Sequence, residues 1–150
     1  MKRGKDKTVG EIVQDRPLHV VQKDVSVLQA VRYMVEHQIG AVPVLDGESV
    51  VGIFSERDVL TRIVAPGLDA ASVQVARVMT KGPAILEKDN TYGQALLIMN
   101  RFHIRHLPVM NAGRLIGCIS IRDLQLVDIE AKEQEIEFMD DYARKLETML

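Results

Sequence analysis

The sequence predicts an α+β fold: two pseudo-symmetric units, each a short β-sheet packed with helices, followed by a long C-terminal helix. Three observations point there. The chain of 150 residues aligns with itself at an offset of 65, giving eleven identities in the 35 positions from 24 to 58 without a gap. Within each copy, short β-branched runs alternate with segments whose apolar residues recur at helical spacing. And residues 120 to 150 contain neither Gly nor Pro, so nothing interrupts a terminal helix. A unit present twice is a tandem pair and not a solenoid, which needs at least three repeats to bury its faces.

The elements follow in order. Leu18-His19-Val20-Val21, matched by Ala84-Ile85-Leu86, reads as a strand. Asp24 and Asp89-Asn90-Thr91 offer N-cap oxygens to a helix. That helix carries Val27, Ala30, Val31, Met34 and Val35 in the first unit, and Ala95, Leu96, Ile98, Met99 and Phe102 in the second. Ala41-Val42-Pro43-Val44-Leu45 is a strand whose proline marks an edge or a bulge. Asp46-Gly47 and Asn111-Ala112-Gly113 are hairpin turns, returning through Val50 to Phe54 and its counterpart. Ser55 then caps a second helix with Asp58 three residues on, close to a capping box, and Pro66-Gly67 ends that helix. A lead-in helix at Val73–Met79 matches Val9–Val13, with the register slipping to 66. The implied division is a flexible tail at 1–7, a first repeat at 8–67, a second at 68–128 and a helical extension at 129–150.

Composition narrows the function classes. With 47% hydrophobic and 27% charged residues the chain is an ordinary globular one. A net charge of −2 supplies no field to hold a nucleic-acid backbone, and 4% aromatics with no Trp leaves few stacking platforms. Nucleic acid is therefore an unfavoured partner. One cysteine, Cys118, excludes an internal disulfide framework; at an apolar strand position it reads as a small buried hydrophobe. No metal site is expected. No apolar run is long enough to span a bilayer, and the charged N-terminus leads into no signal-like segment, so the expected address is the cytoplasm.

No catalytic motif is present: no G-x-S-x-G elbow, no Walker loop, no G-x-G-x-x-G and no H-E-x-x-H. The expectation is that the protein is not an enzyme. His103 and His106 are three apart, but Pro108 and the apolar pattern put His106 on a strand, against a helical metal pair.

What repeats is Gly-h-h-Ser-x-Arg-Asp, where h is hydrophobic: Gly52-Ile53-Phe54-Ser55-Glu56-Arg57-Asp58 and Gly117-Cys118-Ile119-Ser120-Ile121-Arg122-Asp123. The glycine permits close approach of a backbone or a planar ring to a strand. The serine sits at a helix start, which attracts anions. The aspartate is an acceptor-only group suited to a sugar diol, and the arginine offers a phosphate fork. Together these describe a nucleotide site. The structural alternative is that Ser and Asp only cap the helix while Arg is solvated; two identical copies favour the ligand.

With these motifs, the Ile39–Val44 and Ile104–Val109 strands, and Met79-Thr80 ahead of the second repeat, the chain resembles a tandem cystathionine-β-synthase (CBS) domain pair, or Bateman module, over about residues 8 to 128. The resemblance implies two clefts related by a pseudo-two-fold axis that bind adenosine compounds: AMP, ADP, ATP, S-adenosylmethionine or NAD, with AMP or ATP foremost. It implies that Asp58 and Asp123 each hold a ribose and that Ser55 and Ser120 reach ribose or phosphate, with Arg57 and Arg122 beside them. It places the backbone near Ala41-Val42 and His106-Leu107, with Val20 and Ile85, around adenine pockets, and gives Thr80 a hydroxyl contact. Gly40-Ala41 in one repeat faces Arg105-His106 in the other. Because basic residues there contact phosphate in such proteins, the clefts are expected to be unequal; a surface salt bridge is the alternative for Arg105. The expected role is that of an adenine-nucleotide sensor that biases an unknown regulated protein. An interaction or oligomerisation module with empty clefts is the rival.

The tail supports an assembly expectation. Ile129, Ile136, Ala143 and Leu150 recur every seven residues, Met139 and Leu146 complete an a/d seam, and Lys132 is its polar exception. Such a helix is too long for one small unit, so part of it should bury against a second chain in a homodimer; the alternative is a helix folded back on its own repeat.

Overall fold

The computed structural model describes residues 7–149; the expected tail therefore lies outside the described residues except for Lys7, and so does seam residue Leu150. Each unit forms its own sheet. In the first, the strands lie in the order β1 (Val21–Gln22), β2 (Ala41–Asp46), β3 (Ser49–Ser55), β4 (Thr80–Lys81); in the second, β5 (Leu86–Glu87), β6 (His106–Asn111), β7 (Arg114–Ser120). The two long strands of each sheet form an antiparallel hairpin, and the short first strand adds in parallel beside it. The first strands are shorter than the apolar runs suggest. Leu18 to Val20 and Ala84–Ile85 stay outside the sheets because β1 and β5 pair only two residues each, against Val44-Leu45 and Val109-Met110. Both hairpins carry a register shift just after Val44 or Val109. Pro43 and Pro108 lie just outside the stretch their parallel neighbours cover, where a missing N–H breaks no ladder bond to those neighbours.

Helix caps follow side-chain reach. Helix α2 (Val27–Glu36) is capped by Ser26 in a reciprocal box with Gln29, not by Asp24, which sits two residues too early. Thr91 does the same for α5 (Tyr92–Phe102) with Gln94. Helix α3 (Glu56–Val59) passes directly into a π-helical turn, Leu60–Val64, closed by an Ala65 N–H to Leu60 carbonyl bond of 2.9 Å. The apolar spacing there suggested an uninterrupted α-helix. The hairpin turns take the left-handed region at Gly47 (φ 63°) and at Ala112-Gly113 (φ 50° and 79°), which glycine adopts without a Cβ penalty.

Core membership does not follow chain order. Helix α1 (Val9–Val13), which precedes the first unit, buries Val9 and Val13 among Leu86, Tyr92, Met99, Leu107, Ile119 and Leu124 of the second. Helix α4 (Val75–Val78), which precedes the second unit, buries Val75 and Val78 with Val73 and Met79 among Val27, Met34, Val44 and Phe54 of the first. Matching backbone bonds fix the exchange. Val9 donates to Asn90 (2.8 Å) as Val75 does to Val25 (2.9 Å); Tyr92 donates to Lys7 (2.9 Å) as Val27 does to Val73 (2.8 Å). Each lead-in helix thus straps one unit to the other, and the two units cannot separate without opening both cores.

The exchange explains the motif glycines. A Cβ on Gly117 would lie 2.8 Å from Val13 Cβ, and one on Gly52 would lie 2.8 Å from the Thr80 carbonyl oxygen. The group approaching each strand is the strap from the other half of the chain.

Helix α6 (Ile121–Met149) buries Leu124 and Val127 in the second core and ties its start to α5 through a Tyr92–Asp128 bond of 3.2 Å. From Lys132 to Met149 every described side chain is exposed. Ile136, Phe138, Met139, Tyr142, Leu146 and Met149 are among them, so the tail does not fold back on its own unit. No helix of the described residues is long and apolar enough to cross a membrane.

Candidate functional site

The strand-to-helix junction is where each repeated motif places its polar groups. At the first junction Ser55 ends β3 in an extended conformation and caps α3. Its N–H and hydroxyl both donate to Asp58 Oδ2, at 3.0 and 3.1 Å, and Asp58 N–H donates back to Ser55 Oγ at 3.3 Å. At the second, Ser120 N–H donates to Asp123 Oδ2 at 2.8 Å and Asp123 N–H to Ser120 Oγ at 3.1 Å. The capping role is therefore real in both copies. It occupies one carboxylate oxygen in each copy; the other, Oδ1, lies 3.7 Å from Arg62 in Asp58 and 2.9 Å from Arg16 in Asp123.

Two clefts open beside these junctions, and each draws its walls from both units. The Asp58 cleft, about 720 Å³, is walled by Ser55, Arg57, Asp58 and Thr80 and, from the second unit, by Gly82 to Ala84 and His103 to His106. The Asp123 cleft, about 560 Å³, is walled by Ser120, Arg122, Asp123, Gly117 and Cys118 and, from the first unit, by Arg16, Pro17, His19 and Gln38 to Ala41. Both volumes suit a small-molecule ligand. Gly40, Glu56, Arg105 and His106 border both clefts, so the two cavities meet at the pseudo-two-fold axis. Arg105 is exposed and offers its guanidinium to either side. The residues closing the apolar helices, Gln38 (φ 54°) and His103 (φ 53°), hold equivalent left-handed positions and each turns the chain into one of the clefts.

The motif residues expected from the sequence are thus brought together, with Gly40, Ala41, Thr80, Arg105 and His106 beside them. Val42 and Leu107 are fully buried in the two cores, so only their backbone, the part expected at the adenine pockets, is left to meet a ligand. Two others are placed differently. Val20 and Ile85 line neither cleft; His19 and Ala84 do. Arg16, His19 and Glu56 were not singled out from the sequence. The signal for Glu56 was a difference between copies, since Ile121 holds its place in the second motif. The signal for Arg16 was Pro17, which matches Pro83 at the 66-residue offset and sets Arg16 opposite Gly82.

Electrostatics distinguish the two sites further. Burial holds the His106 imidazole below its ordinary value of 6.5, an effect that neighbouring Glu56 and Asp123 oppose and Arg105 reinforces. Burial, then the charge of nearby His37, also lowers His19, whose Nδ1 lies 3.0 Å from the Tyr33 hydroxyl. Burial pushes the Cys118 thiol up to about 12, with Asp123 adding to the effect, so it is no nucleophile at neutral pH. Among the described residues no group of three or more His, Cys, Asp or Glu is placed to hold a metal ion.

A family model for the CBS domain matches residues 9–65 and 75–128. The chain is a CBS-domain protein. A 17.7 kDa protein of Acidianus ambivalens is 34% identical over 120 residues, covering 77% of this chain and 71% of its own. A signal-transduction protein with CBS domains from Burkholderia ambifaria superposes with a TM-score of 0.73 at 34% identity, over 78% of this chain and 90% of that one. A CBSX2 structure solved in complex with AMP superposes with a TM-score of 0.67 at 26% identity, over 83% and 98%. The α+β architecture of two small mixed sheets packed with helices agrees with the CBS fold of these structures. The 35 residues that follow Leu115 include both the second CBS motif and the tail, and the family match ends within them, at residue 128.

Proposed function

We propose that this CBS pair is a regulatory module that binds adenine nucleotides, AMP or ATP, in its two inter-unit clefts. The observation that carries the proposal is the assembly of each cleft. A buried or half-buried aspartate sits at a helix start with one carboxylate oxygen not used by its cap, open at Asp58 and ion-paired to Arg16 at Asp123, and Arg105 and His106 of the meeting point are in reach of a phosphate. An AMP complex of a protein with this fold supports the choice of ligand. The clefts lie between units strapped by exchanged helices, so a nucleotide that prefers one relative placement of the units shifts the population toward it and presents a changed surface to a partner protein. The test is direct: protein denatured after purification, or after incubation with AMP or ATP and desalting, should release nucleotide visible at 260 nm and identifiable by mass. Titration calorimetry that detects no heat or binding for AMP, ADP, ATP, NAD, S-adenosylmethionine or adenosine rejects the proposal and leaves the interaction module with empty clefts.

The exposed tail favours assembly of two chains as a further part of this proposal. Ile136, Met139 and Leu146 are exposed along one a/d seam, with nothing among the described residues covering them. Removing residues 130–150 should shift a homodimer toward monomer at micromolar concentration while nucleotide binding persists, since every cleft residue precedes position 124. Of the flanking positions Asp128, Glu133, Glu135, Asp140, Tyr142, Glu147 and Met149, five are acidic and none is basic, so pairing through the seam works against like charge and should tighten as salt rises. A truncated protein with an unchanged sedimentation profile places the dimer contact in the modules instead.

A further inference from the structure

We infer that Arg16 is an internal occupant of the Asp123 cleft, making that cleft selective for phosphorylated ligands over neutral nucleosides while the Asp58 cleft accepts both. This rests on the nucleotide reading proposed above. Arg16 NH1 lies 2.9 Å from Asp123 Oδ1. The cap from Ser120 already holds Oδ2. Both acceptor oxygens of Asp123 are therefore engaged before any ligand enters, and Arg16 is itself part of the cleft wall.

The sister site is built without this block. Asp58 Oδ2 is capped in the same way, but the cation near Oδ1 is Arg62, at 3.7 Å and from one turn further along the chain. Arg62 is held away from the cavity: its NH1 donates to the carbonyls of Val78 and Met79 at 2.9 and 2.8 Å, and it does not line the Asp58 cleft. The position equivalent to Arg16 is Gly82, next to the matching Pro83, and both border that cleft. Gly82 brings no side chain, and its φ of 55° suits glycine. One aspartate thus offers a free acceptor to a ribose diol; the other must first release a guanidinium.

The release has different consequences for different ligands. Adenosine offers Arg16 no anion, so its ribose must compete with a charge-assisted hydrogen bond. A 5′-phosphate in the same cleft gives the guanidinium a new partner. Arg16 is 44% exposed, so its side chain has room to swing.

The experiment isolates the Asp123 cleft by placing Arg16→Ala in an Asp58→Asn background, and titrates both proteins with adenosine and with AMP by calorimetry. The expected result is about a tenfold gain in adenosine affinity on removing Arg16, in line with the strength of a hydrogen bond to a charged group, with AMP affinity unchanged or reduced. Adenosine affinity that is unchanged or falls overturns the inference. An equal gain for AMP overturns the selectivity. If Asp58→Asn does not fold, the amide resonances of Gly117 and Ser120, followed by NMR in the single Arg16→Ala variant, report the same cleft. If neither ligand binds the wild-type protein at all, the nucleotide reading fails, and that outcome is distinct from binding that is indifferent to Arg16.

Discussion

Asp58 and Asp123 occupy the same place in the same motif, yet one is 6% exposed with a cation at 3.7 Å behind it, and the other is more open with a cation at 2.9 Å in front of it. The capping geometry is nearly identical, within about 0.2 Å for each bond the two share. Part of the difference comes from the same unit, where Arg62 stands one turn after Asp58, and the rest from the opposite one. The strap entering the Asp123 cleft carries Arg16 and Pro17; the strap entering the Asp58 cleft carries Gly82 and Pro83. Duplication thus fixes the helix start, where local hydrogen bonding dominates, and leaves the far wall of each cleft free to diverge. The same holds for Gly40-Ala41 against Arg105-His106, while Glu56 against Ile121 is a divergence at the helix start itself.

The largest effects should come from removing the aspartates one at a time. Asp58→Ala and Asp123→Ala should each abolish one binding event in a calorimetric titration with AMP and leave the other. Each also removes a cap and should cost about 1 to 2 kcal/mol of stability. In the wild-type protein, a ligand at a hundred times its Kd adds about 2.7 kcal/mol, which at roughly 2 to 4 °C per kcal/mol raises the melting temperature by about 5 to 10 °C. Asp123→Ala is the more informative variant, since it also releases Arg16. A stoichiometry that stays unchanged in both variants would show that neither carboxylate holds ligand and that the boxes serve only as caps.

A smaller effect separates the ligand's phosphate from its nucleoside. Arg105→Ala should weaken AMP by about tenfold and leave adenosine nearly untouched. Because Arg105 borders both clefts, the loss should appear in both Asp→Ala backgrounds. Loss in only one of them would assign this arginine to a single cleft. Equal losses for AMP and adenosine would remove its phosphate role.

Much of this was legible in the sequence, and the parts that were not have a common cause. The repeat, both hairpins, the Ser-x-x-Asp boxes and the terminal helix all follow from contacts within a few residues of each other. The exchange of α1 and α4 does not. Val9 and Val75 have the same apolar spacing whichever core they enter, and only packing against Leu86 or Phe54 decides between them. The glycines of the motif were read correctly as sites of close approach, but what approaches is the strap, which no local pattern announces. Ser26 displaces Asp24 as a cap because the first helical turn begins two residues later than the acidic residue suggests. The π-helical turn after Val59 keeps the apolar spacing of an α-helix closely enough that periodicity does not reveal it. For Arg16 the 66-residue offset marks a difference from Gly82, but that difference has no meaning until the fold sets Arg16 against Asp123.

The smallest expected effect is a proton, and it probes both clefts through the one imidazole they share. In the folded protein burial depresses His106, and burial with His37 depresses His19. A histidine depressed in the native state binds its proton more readily in the unfolded chain. Stability should therefore be full above the ordinary histidine value of 6.5, and should decline as pH falls below it, until the native imidazoles themselves protonate. A phosphate beside His106 works in the opposite direction, favouring the charged imidazole and raising its pKa. AMP binding near pH 6 should then take up a fraction of a proton at His106, against the proton that the phosphate, itself titrating at about 6, gives up beside a cation, and adenosine binding should take up none. Calorimetry in two buffers of different ionisation enthalpy measures the net count, since proton exchange makes the apparent heat depend on the buffer. The share of His106 is the difference between the wild-type protein and His106→Gln, which should keep the fold and shift the count toward release. The comparison between clefts follows from repeating the measurement in Asp58→Ala and in Asp123→Ala. Uptake in both places a phosphate near His106 from either side, as expected for a residue bordering both cavities. Uptake in one alone identifies the cleft whose phosphate points toward the axis. A proton count for AMP that His106→Gln leaves unchanged in all three proteins would show that the phosphate lies away from His106, and this imidazole would then have no role in ligand choice.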